Sequence, residues 1–124
     1  MRVPGSEILL VLAIREGGSR SALAGKLTIR GANVLTSGEI DDNGHVPGVL
    51  QPAVLVIDEA TRASRSAKFI KALLAAPHWS RVVVVHPSGS EIDPDPRLVH
   101  IEERDAASRL LALIPEWQAE AANA

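Results

Sequence analysis

Four polar clusters stand immediately after short apolar runs in this 124-residue chain. Arg15 and Glu16 follow residues 8–14, Asp58 and Glu59 follow residues 53–57, His86, Pro87 and Ser88 follow residues 82–85, and Glu102 and Glu103 follow residues 98–101. Carboxylates, an imidazole, a hydroxyl and a guanidinium are the groups from which acid–base, metal and phosphoryl chemistry is built. They gain meaning only if the fold brings them together. In an open parallel sheet it does, because side chains just past the carboxyl ends of the strands converge on one crevice.

The apolar runs 8–14, 53–57 and 82–85 are short and almost uninterrupted, as in strands buried on both faces of a parallel sheet. Two weaker strands fit residues 33–36 and 98–101. Helical periodicity fills the segments between them. Residues 19–29 put Ala22, Leu23 and Leu27 on one face and end at Arg30-Gly31, where glycine can take the left-handed cap. Residues 64–76 align Phe69, Ile70, Leu73 and Leu74 against Arg65, Lys68 and Lys71, and Pro77 stops them. A third helix is predicted after an Asp105 N-cap, through Leu110, Leu111, Leu113 and Ile114 as far as Pro115. The reading is one α/β domain over residues 1–114, followed by an alanine-rich tail or helix extension over 115–124, with Trp117 expected to pack back on the domain. Residues 38–52 and 86–97 are rich in Gly, Pro and Asp and are predicted to be loops, the first with at most one helical turn. Alternating strands and helices call for right-handed crossovers and helices on both sheet faces.

Composition removes several classes of function. Thirteen basic against fifteen acidic residues leave a net charge of −2, without the basic excess of a nucleic-acid binder. Phe69, Trp79 and Trp117 are the whole aromatic complement, too little for stacking on bases. Cysteine is absent, which excludes disulfides and thiolate sites and suits the cytoplasm. The longest apolar run falls far short of the roughly 20 residues of a membrane span, and Arg15-Glu16-Gly17-Gly18 follows it in place of a signal cleavage site. His45, His78, His86 and His100 show no metal-ligand spacing, so no metal and no cofactor is expected. The stretch from Gly18 to Lys26 is similar to a phosphate-binding loop, but its glycines are too far apart and Leu27 follows the lysine where Ser or Thr is required.

Across residues 6–114 the chain resembles the receiver domain of two-component response regulators, the CheY-like family. A buried run, Pro52-Ala53-Val54-Leu55-Val56-Ile57, ends in Asp58, where that family carries its phosphoacceptor aspartate. Asn33-Val34-Leu35-Thr36 and the run from Val82 to His86 lie at the family's distances upstream and downstream. The resemblance implies a flavodoxin-like three-layer sandwich with five parallel strands in the order 2-1-3-4-5. Within that layout the helix before the third strand is expected to be short, and the helix between the last two strands reduced or missing.

The departures from the family bear on function. Receivers hold Mg²⁺ with the aspartate and an acidic pair after the first strand, and the metal neutralises the incoming phosphoryl oxygens. Here the aligned positions are Ala13, Ile14 and Arg15, and only Glu16 is acidic nearby. His86 occupies the position of the switch hydroxyl, Glu102 or Glu103 that of the lysine, and His100 falls near the aromatic switch position. Asp58 thus stands in a vestigial pocket formed by Arg15, Glu16, Glu59, His86, Ser88 and Glu103, with Arg15 expected to pair with Asp58 in place of the metal. The expected function is an atypical, non-catalytic receiver-like module acting on protein partners or as a homodimer, without nucleic acid or membrane. The alternatives are a phosphoacceptor regulator using Asp58 and a small nucleotide-binding or hydrolase-like domain.

Overall fold

The computed structural model describes residues 8–38, 40, 46, 53–65, 67–76, 79–88 and 95–122. Strands β1 (Leu9–Ala13), β2 (Asn33–Thr36), β3 (Ala53–Asp58), β4 (Trp79–His86) and β5 (Leu98–Glu102) form one sheet in the order β2-β1-β3-β4-β5. Every pairing is parallel. The fold is therefore the α/β layout expected, a flavodoxin-like sheet with helices on both sides.

Alternation along the central strands divides the core in two. Val11, Leu55, Ile57, Val82 and Val84 point to one face and meet Phe69 and Leu73 of α3 (Ala67–Ala75). Leu10, Leu12, Val54, Val56, Val83 and Val85 point to the other and meet Leu23 and Leu27 of α1 (Gly17–Ile29) and Leu110 and Trp117 of the last helix, Ala106–Ala122. Because β3 is covered on both sides, residues 53–57 are all buried, which is why this strand reads as a continuous apolar run. The edge strand β2 is mostly exposed.

α1 ends as its sequence predicts. Gly31 takes φ +87°, and the amides of Gly31 and Ala32 donate to the Thr28 and Leu27 carbonyls at 2.9 and 3.1 Å.

Two helical expectations change. The single helix predicted over 64–76 is preceded by a separate short helix, α2 (Glu59–Ala63), which starts as soon as β3 ends, while α3 begins only at Ala67. The side chain of Asp58 caps α2 and starts helix earlier than the apolar stripe indicates. Lys68 and Lys71 face solvent as predicted, but Arg65 folds back to donate to the Ile40 carbonyl at 2.7 Å and lies over the Phe69 ring. The second change is at the C-terminus. A 3-10 turn, Glu103–Asp105, leads into α4 (Ala106–Ala122), so Asp105 sits inside the turn, and α4 continues through Pro115. Proline removes one helical hydrogen bond, which ordinarily ends a helix. Here the turns beyond it are anchored, since Trp117 is buried with the Arg81 guanidinium 5.9 Å above its ring and Arg81 pairs with Glu120.

Neither residues 87–88 nor 95–97 form a helix between β4 and β5. Pro77, most of the 38–52 loop with the short helix expected there, and residues 89–94 lie outside the described residues. No described helix is long and apolar enough to cross a membrane.

Trp117→Ala is expected to lower unfolding free energy by about 3–5 kcal/mol, because it empties a buried aromatic site and frees the end of α4. Urea denaturation followed by circular dichroism measures this; a loss below about 1 kcal/mol would mean the last turns of α4 contribute little to the fold.

Candidate functional site

The polar residues past the strands do gather at one end of the sheet, but with partners other than those expected. Asp58 is half-buried at the end of β3. Its Oδ1 accepts the Thr61 amide at 2.9 Å and the Thr61 hydroxyl, and its Oδ2 accepts the Arg15 amide at 3.2 Å. One carboxylate thus ties the end of β3 to the first turn of α2 and to the loop after β1. The expected pairing of Asp58 with the Arg15 guanidinium is replaced by this backbone contact, and the Arg15 side chain is exposed. The donor is a main-chain amide of the loop after β1, which any residue except proline would supply.

Glu16 turns to its own helix. Its carboxylate accepts the Gly18 and Ser19 amides as the N-cap of α1. Hydrogen bonding from Ser19 chiefly, then from Gly18, with a smaller contribution from the Arg20 charge, holds the Glu16 carboxyl below the usual carboxylate range. Glu103, at the start of the 3-10 turn, accepts the Ser19 hydroxyl at 3.2 Å.

Glu59 and His86 join a chain of side chains that reaches across the sheet edge. Glu59 Oε1 accepts from Arg62 at 2.9 Å. Its Oε2 stands 2.9 Å from His86 Nδ1, an ion-pair approach that lies off the line of a hydrogen bond. His86 Nε2 is 2.7 Å from His100 Nδ1, and both imidazoles are buried, each 7% exposed. Two ring nitrogens at that distance share one hydrogen, since one of them must accept. Both nitrogens of His86 are therefore engaged. His100 was expected near a switch position and not as a pocket residue; the signal that joins it to His86 is register. Val84 pairs with His100 and His86 with Glu102, so His86 and His100 lie on the same sheet face one step apart.

A cleft of about 340 Å³ opens between α1 and α4 above the strand ends. Ile14, Leu23 and Val85 give it apolar walls, Glu16, Asp58, Glu59 and Glu103 line it with carboxylates, and Lys26 and Arg104 line it with cations that sequence reasoning did not single out. Arg15 lines a different cavity beside α2, and Ser88 is exposed and belongs to neither.

An octahedral Mg²⁺ site needs several oxygens converging on one point. Asp58 Oδ1 accepts twice from Thr61 and Glu16 is directed at the amides of α1, so of these two carboxylates Asp58 Oδ2, with one donor at 3.2 Å, is the least engaged oxygen. Among the described residues no three His, Asp or Glu side chains converge as metal ligands.

The chain matches no protein-family model, no curated protein and no solved structure.

Because the folded-state Glu16 carboxyl is held low, its contribution to stability is present above the unfolded carboxylate range and is lost as pH falls through its folded value. Urea unfolding between about pH 5 and pH 3 is expected to weaken more steeply with acid in the parent chain than in Glu16→Gln. Parallel pH profiles would contradict the capping role.

Proposed function

We propose that this chain is an atypical receiver-like signalling module that acts by protein contact and does not use Mg²⁺-dependent aspartyl phosphorylation. The observation that carries this reading is the engagement of Asp58. A phosphoacceptor has to offer an oxygen to the incoming phosphorus and a metal to neutralise the phosphoryl oxygens. Asp58 instead receives Thr61 and Arg15 donors on its two oxygens, and the nearest acid after β1, Glu16, is the cap of α1. The strand order and the position of Asp58 at the end of β3 support the receiver likeness. The hydrogen bond between His86 and His100 joins the ends of β4 and β5 beneath this pocket.

A module of this kind works by presenting a surface to a protein partner or a second copy in the cytoplasm. The side of the sheet near β2 supports such contact: Ile29 is 84% exposed at the end of α1, and Leu35 is exposed on the edge strand.

Titration of the purified chain with Mg²⁺ and beryllofluoride, a phosphoryl mimic, is expected to leave the amide resonances of Arg15, Asp58 and Thr61 unmoved. Saturable shifts at these amides would overturn the proposal in favour of a working phosphoacceptor.

A further inference from the structure

The cleft between α1 and α4 follows one face of α1. Ser19, Ala22, Leu23 and Lys26 line it at the spacing of side chains on successive turns, so it extends about 10 Å along the helix axis. Ala106 and Ala107 line it from the start of α4, and Ile14 and Val85 from the ends of their strands. Small side chains on both helices leave the middle of the cleft open, and its walls there are apolar.

Charge is distributed unevenly along this length. Glu16, Asp58, Glu59 and Glu103 stand at the strand ends and the turns that leave them, where Glu103 meets Ser19, whereas Lys26 stands two turns further along α1. All the lysines and arginines except Arg2 are described, and only Lys26 and Arg104 reach the lining. Arg104 is itself paired with Glu102 at 3.2 Å. The acids also keep capacity to accept. Asp58 Oδ2 holds a single amide at 3.2 Å, Glu103 uses one oxygen for the Ser19 hydroxyl, and Glu59 Oε2 is buried without a hydrogen-bond donor, 2.9 Å from His86 Nδ1. These oxygens line the cleft without meeting at one point, since no three His, Asp or Glu side chains among the described residues converge as metal ligands. A bare divalent ion needs that convergence. An ammonium group does not, because its three N–H donors point apart and it brings its own apolar body.

We propose that this cleft binds a small primary amine, with the ammonium group at the strand ends beside Asp58 and the apolar body between α1 and α4. Four carboxylates against two cations favour a positive ligand over an anion. The alanines and Leu23 remove its hydrocarbon part from water, and a volume of about 340 Å³, at the lower end of ligand pockets, suits a small molecule. Binding is non-covalent and uses no phosphoryl chemistry at Asp58, so it stands or falls separately from the receiver reading.

The test is a titration of the whole chain with hexylammonium chloride, methylammonium chloride, hexanol and, at matched ionic strength, sodium chloride, followed by nuclear magnetic resonance at the Ser19, Leu23 and Ala107 amides. Saturable shifts are expected with hexylammonium. Methylammonium lacks the body and hexanol the charge, so each is expected to bind at least about tenfold more weakly, a buried methylene alone being worth about fourfold. Sodium chloride is expected to produce none of these shifts. Ala22→Leu fills the cleft from an exposed helix position and is expected to weaken hexylammonium binding at least about tenfold. Glu103→Gln removes one charge while keeping an acceptor for Ser19 and is expected to weaken it about threefold, whereas Lys71→Gln, on α3 at the other face of the sheet, leaves it unchanged. Shifts that do not saturate, that sodium chloride reproduces, or that persist unchanged in either cleft variant would overturn the site. Equal binding of hexanol would overturn the ammonium assignment, and equal binding of methylammonium the apolar body.

Discussion

A carboxylate at the end of a strand buried on both faces is costly to leave without donors, since it loses water without gaining a partner. Asp58 meets that constraint by accepting from two directions, the loop after β1 and the first turn of α2. Much of the strand-end geometry depends on this. It fixes where α2 begins, it holds the main chain of Arg15 against β3, and it lines the acidic cleft above the strand ends. The same hydrogen bonds make Asp58 a structural joint between three segments.

The remaining acids follow the same pattern of local use. Glu16 serves the N-terminus of α1, where the exposed amides and the helix dipole favour a negative charge, and Glu59 serves Arg62 and His86. With His86 joined in turn to His100, the polar end of the sheet is built from charge-assisted and imidazole contacts in series. Arg15 is the exception, with its main chain fixed and its guanidinium without an ion-pair partner among the described residues.

Much of the fold was legible in the chain because burial on both faces leaves a local mark. The runs in β1, β3 and β4 are apolar at every position, and no other element needs that. The glycine cap of α1 was legible for a similar reason, since Arg30-Gly31 supplies the left-handed residue at the place the helix needs it. What escaped was non-local. α2 exists because an aspartate of β3 caps it, and an apolar stripe does not record a cap contributed by the preceding strand. α4 passes Pro115 because Trp117 finds a buried site beneath Arg81, a contact between residues far apart in sequence. In the site, Glu16, Asp58, Glu59 and Glu103 do line one cleft, but the donor from residue 15 is a main-chain amide, which every residue except proline carries. The His86–His100 contact required the register of β4 on β5, which neither segment reveals alone.

Hydrogen exchange at the Arg15 and Thr61 amides tests the central role of Asp58 most directly, because these two groups donate to its two oxygens. Both amides are expected to exchange slowly in the parent chain and to lose protection together in Asp58→Ala, while the central amides of β3 and β4 remain protected. Rapid exchange at both positions in the parent chain, or protection that survives the substitution, would contradict the account of Asp58 as the joint that organises this end of the sheet.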